Sequence, residues 1–114
     1  MPFSELELKL IDKLVGTFCR TRVPVNIQNE LRYVYRVKGL DIFLAEDRPR
    51  WDKPEEWLAV DFAKLKYVRK HKKWHLYWKR ANGRWEQYTP HFESSDLEVL
   101  INVIQTDALC CFFG

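Results

Sequence analysis

The sequence predicts an α+β protein, a five-stranded antiparallel meander with an N-terminal and a C-terminal helix packed on one face. Three observations lead there. Apolar residues recur at helical spacing only near the two ends, the stretch between them alternates apolar with polar residues, and Gly39 and Asn82-Gly83 punctuate that stretch as tight turns. Strands that follow one another through short turns form antiparallel sheets, in which one face packs on helices and the other meets water.

The elements follow in order. Ser4 and Glu7 make a capping box, and Leu6, Leu10, Leu14 and Phe18, flanked by Ile11 and Val15, give a helix over about Ser4 to Arg20. Pro24 opposes its continuation. Leu31, Tyr33, Tyr35 and Val37 then alternate with Arg32, Arg36 and Lys38 as a strand. A two-residue loop at Gly39-Leu40 sets Val37 against Ile42 and Tyr35 against Leu44, with Lys38 beside Asp41 on the other face.

Glu46 to Trp57 is expected to form a long loop stiffened by Pro49 and Pro54. Connections of this length often bind partners, so Arg48, Arg50 and Trp51 are candidate loop contacts. The competing expectation, slightly favoured, folds Trp51 back as a plug over one end of the core. The strand Phe62–Val68 should turn near Arg69 to Lys72 and pair with Lys73–Arg80, setting Ala63, Leu65 and Tyr67 beside Trp78, Leu76 and Trp74.

Asn82-Gly83 suits a two-residue type I′ turn, which would oppose Arg80 to Trp85, Lys79 to Glu86 and Trp78 to Gln87, with Trp85 on the core face. Ser95 with Glu98 reads as a second capping box, opening a short helix with Leu97, Leu100, Ile101 and Ile104 inward. An apolar tail, Ala108 to Gly114, closes the chain.

Composition bounds the function. The 114 residues suit one domain, residues 1–114, that buries roughly two-thirds of its unfolded surface. The net charge of +3 conceals segregation: residues 1–63 carry ten bases and eleven acids, residues 64–84 nine bases and no acid, and residues 85–114 five acids and no base. Charged residues interrupt the N-terminal apolar pattern, so no secretion signal is evident, and no apolar run nears the ~18 residues of a membrane span. Cysteine count is three, including adjacent Cys110 and Cys111, a poor disulfide framework. A cytoplasmic protein with no membrane association is expected.

One face of the predicted sheet gathers Lys64, Lys66, Lys73, His75, Tyr77, Lys79, Arg84, Glu86 and Tyr88. Its lysines, with Arg84, could neutralise phosphates while Tyr77, Tyr88 and His75 offer stacking surfaces to unpaired bases. These residues, Glu86 apart, are the candidate anion-binding site. The competing reading is a merely solvated sheet face, and it weighs more because Lys outnumbers Arg six to three in Lys64–Arg84. The alternative function is a protein-interaction or homodimerisation module using the Trp51 loop and the apolar tail.

An enzyme ranks third. His71 and His75 lack a preceding Cys-x-x-Cys, the only serines are Ser4, Ser94 and Ser95 near proposed helix starts, and four glycines leave no phosphate-cradling loop. Neither metal nor cofactor is expected, and no catalytic residue is assigned.

Several blocks carry a resemblance: Arg22-Val23-Pro24, Glu46-Asp47-Arg48-Pro49-Arg50-Trp51, Ala63-Lys64-Leu65-Lys66-Tyr67, the run Trp74 to Trp85, and Phe112-Phe113-Gly114. Together they resemble a family of small bacterial proteins catalogued as a domain of unknown function, number three-thousand-twenty-four in that series. The likeness covers nearly the whole chain, departing slightly at Phe113, where the family pattern has Trp. It implies a stand-alone bacterial domain and no activity.

Overall fold

The computed structural model describes residues 2–107 and residue 112. A helical rod opens the chain: α1 (Glu5–Ile11), one π turn over Asp12–Gly16, and α2 (Thr17–Thr21). The Ser4–Glu7 capping box forms as expected, Ser4 Oγ accepting from the Glu7 N–H at 3.2 Å and Glu7 accepting from the Ser4 N–H at 2.8 Å. The inward stripe differs from the predicted one. Ile11, Val15, Phe18 and Cys19 are buried, whereas Leu6 and Leu10 are 79% and 55% exposed. Phe3 instead supplies apolar cover at this end, stacking on Trp74 with ring centroids 5.6 Å apart.

The strands are β1 (Arg32–Lys38), β2 (Asp41–Pro49), β3 (Trp57–Val68), β4 (Lys73–Lys79) and β5 (Trp85–Gln87), in the antiparallel order β1-β2-β3-β4-β5. A two-residue strand, β6 (Glu93–Ser94), continues the edge beside β4 after a 3₁₀ turn at Thr89–His91. The expected partners Val37–Ile42, Tyr35–Leu44 and Lys38–Asp41 all form, as do Ala63–Trp78, Leu65–Leu76 and Tyr67–Trp74.

The closing helix, α3 (Leu97–Thr106), buries Leu97, Leu100, Ile101 and Ile104 as predicted. Its cap is not Ser95. Asp96 is the N-cap, its carboxylate accepting from the Glu98 N–H at 3.0 Å, because the Ser94 hydroxyl accepts from the Asp96 N–H and starts the helix one residue later. The helices and the inner sheet face share one core around Ile42, Leu44, Leu65, Leu76, Leu100 and Ile104. Phe112 joins it against Tyr88; the rest of the predicted tail, with Cys110 and Cys111, lies outside the described residues. Among the described residues no helix is long and apolar enough to cross a membrane.

The N-terminal rod is tied to the β3–β4 turn by Arg69, which donates to Glu7 at 2.9 and 3.2 Å. That bond, with the Ser4 N–H, holds the Glu7 carboxyl down at about 2 from its ordinary 4.5. A carboxyl depressed by folding stabilises the fold above its ordinary value and loses that contribution as pH falls towards the folded value. Thermal unfolding from pH 5 to pH 2 should therefore fall less steeply in Glu7→Gln than in the parent, and equal slopes would refute the coupling.

Candidate functional site on the outer sheet face

The outer face, opposite the helices, is built by alternation along each strand. It carries Arg36 on β1, Asp41 and Phe43 on β2, Lys64 and Lys66 on β3, and Lys73, His75, Tyr77 and Lys79 on β4. The structure thus brings together six of the eight predicted residues: Lys64, Lys66, Lys73, His75, Tyr77 and Lys79. Arg84 is exposed at the end of the face, in the β4–β5 turn.

Tyr88 is the correction. It is 2% exposed in the core, and Trp85 takes the place on the outer face that Tyr88 and Glu86 were expected to share. The cause is the turn. The Gly83 N–H donates to the Arg80 carbonyl at 2.8 Å, Gly83 has φ +84°, and Asn82 is not among the residues with positive φ. A type I′ turn needs positive φ at both central residues, so the chain makes a three-residue loop with a glycine bulge instead. The Asn82 side chain stabilises it by accepting from the Arg84 N–H at 3.0 Å.

The pairing is accordingly Lys79–Trp85, Trp78–Glu86 and Tyr77–Gln87, one residue from the expected register. A one-residue slip exchanges the two faces of a strand. The expected Lys79–Glu86 ion pair is replaced by Arg80–Glu86 at 3.3 Å.

The slip makes the face aromatic as well as basic. Trp85 leans across the sheet to within 5.9 Å of Phe43, centroid to centroid, and Tyr77 meets Phe92 edge-on at 5.5 Å. His75 lies 4.5 Å from Phe92. Lys64 stands among them, its Nζ 4.6 Å from the Tyr77 ring and 5.5 Å from Trp85. Arg36 lies 4.4 Å over Phe43, held by a bidentate bond to Asp61 at 2.6 and 2.9 Å.

Phe43, Trp85 and Phe92 belong to the site and were not predicted for it. Phe43 was legible, since Ile42 and Leu44 point inward on either side of it. Trp85 was not, because its face depends on the turn type.

The charge is uneven. Glu93 pairs with Lys73 at 3.3 Å and with His75 at 3.2 Å, and Lys73, followed by His75, holds its carboxyl below the usual carboxylate range. Lys73 is therefore partly neutralised, whereas Lys66 is exposed beside Asp41 and His75. Burial, with Asp41, raises the Tyr77 hydroxyl, which stays neutral at physiological pH.

The second candidate region is a projecting hairpin rather than a long loop, since β2 runs to Pro49 and β3 starts at Trp57. Arg50 organises the turn through Asp52 at 3.1 and 2.9 Å and Glu56 at 3.3 Å, and Arg48 pairs with Glu46 at 3.2 Å. Trp51 is 94% exposed, so it plugs no core. Cys19 is buried and its thiol is pushed up to about 12 by desolvation, which leaves it packing rather than reactive. Among the described residues no three His, Cys, Asp or Glu side chains gather as a metal site.

These features define a class: an α+β protein whose antiparallel meander is clad by helices on one side and bears aromatic and basic side chains on the other. The chain belongs to the family described as Domain of unknown function (DUF3024), whose profile matches residues 3–114. No curated protein and no solved structure matches it.

Proposed function

We propose that the protein is a cytoplasmic bacterial binding module, a single domain over residues 1–114, that holds single-stranded nucleic acid on its outer sheet face. The observation that carries this reading is the aromatic row of Phe43, Trp85, Tyr77 and Phe92 with Lys64 set within it. Unpaired bases stack on sheet-borne rings, and lysines neutralise the phosphates that join them. Lys64, Lys66, Lys79 and Arg84 meet the backbone, and Tyr77, Trp85 and His75 meet bases. Lys73 contributes less because of Glu93.

The test is fluorescence anisotropy of labelled single-stranded RNA and DNA at low and physiological salt. Binding should weaken with salt, and the slope of log K against log salt should flatten by about 0.7 for each effective lysine removed. A variant with Lys64, Lys66, Lys73 and Lys79 changed to Gln should lose most of the binding. Absence of binding, or binding indifferent to those lysines, would refute the reading. Within that set, Lys73→Gln alone should cost less affinity than Lys66→Gln, and the reverse order would contradict the neutralising role of Glu93.

A further inference from the structure

The edge of β3 over Trp57–Asp61 is paired on one side only. The β3–β4 ladder runs from Val68–Lys73 to Ala63–Trp78 and ends there, while β4 passes at Arg80 into the hairpin with β5. Among the described residues no strand lies beside Trp57–Asp61 opposite β2.

The ladder fixes which backbone groups face outward. The Arg50 N–H donates to the Glu56 carbonyl at 2.8 Å, so Glu56 turns its polar groups towards β2. By alternation Leu58 and Val60, opposite Arg48 and Glu46, do the same. Trp57, Ala59 and Asp61 therefore aim their N–H and C=O groups at the open side. Pro49 opposite Trp57 agrees, since that position asks no N–H of β2.

Exposed edges are commonly guarded by charge or proline. The β1 edge has Arg32, Arg36 and Lys38; Trp57-Leu58-Ala59-Val60-Asp61 has no Lys, Arg or Pro, and its one charge, Asp61, is paired with Arg36 at 2.6 Å. Leu58 and Val60 are 57% and 53% exposed on the inner side of the arm.

We propose that this edge pairs antiparallel with the same edge of a second copy, about a two-fold axis at Ala59. The register is self-complementary. Ala59 exchanges both hydrogen bonds with its counterpart, Trp57 pairs with the second copy's Asp61, and Leu58 lies against the second copy's Val60 on one face.

Charge favours this occupant. Glu55, just before Trp57, comes to the end of the other copy's β4–β5 hairpin, where Lys79 and Arg84 stand, and the two-fold repeats that match, while Glu56 and Arg80 stay paired with Arg50 and Glu86 of their own chain.

Sedimentation velocity on the intact protein over a concentration series should show a monomer–dimer equilibrium. Ala59→Pro removes an N–H that β2 does not use, so it should preserve the far-ultraviolet circular dichroism and weaken dimerisation roughly tenfold or more. Leu58→Lys should do likewise.

Counterpart residues in a hydrogen-bonded pair have Cα atoms about 5.5 Å apart, within disulfide reach. Ala59→Cys should therefore give a reducible covalent dimer above any formed by the parent, and Lys70→Cys, in the turn at the other end of β3, should not. A monomer at every concentration would overturn the proposal. So would association unaffected by Leu58→Lys and Ala59→Pro, or cross-linking by Lys70→Cys equal to that by Ala59→Cys.

Discussion

Tyr88→Ala is expected to destabilise the protein by about 3–5 kcal/mol, the loss seen when a large aromatic leaves a packed core. Tyr88 is 2% exposed, its ring centroid lies 5.0 Å from that of Phe112, and its backbone N–H donates to the Leu76 carbonyl at 3.0 Å. Trp85→Ala should cost only about 1 kcal/mol, because Trp85 is half-buried on the outer face and leaves no enclosed cavity.

Equilibrium denaturation by urea separates the two. A protein of this size has about 5–15 kcal/mol in total, so Tyr88→Ala would remove much of it. A two-residue Asn82-Gly83 turn would reverse the order, placing Trp85 inside and Tyr88 outside. The ranking of these two substitutions therefore tests the hairpin register directly.

The second large effect concerns binding. Stacking on an aromatic side chain contributes about 1–3 kcal/mol per base, so Trp85→Ala should weaken single-stranded nucleic acid by roughly 5- to 150-fold while the protein stays folded. Tyr77→Ala should show a loss of the same kind. Anisotropy titration at fixed salt reads both. Trp51→Ala, at the hairpin tip, should leave this affinity unchanged, and a loss there would move the interface to the projecting arm.

Much of this architecture is legible in the sequence, for identifiable physical reasons. Ser4 and Glu7 announce the first helix because a capping box is a local device, and Gly39-Leu40 sets the first hairpin register because nothing else competes for that turn. The β3–β4 register follows from matching Ala63, Leu65 and Tyr67 to Trp78, Leu76 and Trp74.

What escaped depends on choices made over a few atoms. Asn82-Gly83 serves two turn types, and the one adopted reversed the faces of Trp85 and Tyr88. Ser94, Ser95 and Asp96 compete to cap the last helix, and a hydroxyl bond to the Asp96 N–H decides it. Leu6 and Leu10 share helical spacing with residues that do face the core, so periodicity alone does not separate them, and Phe3 covers that end instead. The basic candidates were found by alternation alone, whereas the rings that accompany them required the turn.

The most direct test of the outer face as a nucleic-acid platform is nuclear magnetic resonance of the tryptophan indole N–H groups during titration with a single-stranded oligonucleotide. The chain has five tryptophans, and they report on different places. Trp85 lies on the outer face, Trp74 is buried in the core, and Trp51 stands at the hairpin tip. The proposed mode predicts that the Trp85 resonance shifts with nucleotide and returns as salt is raised, while those of Trp74 and Trp51 hold still. Shifts confined to Trp51, or a Trp85 signal that never moves, would contradict it.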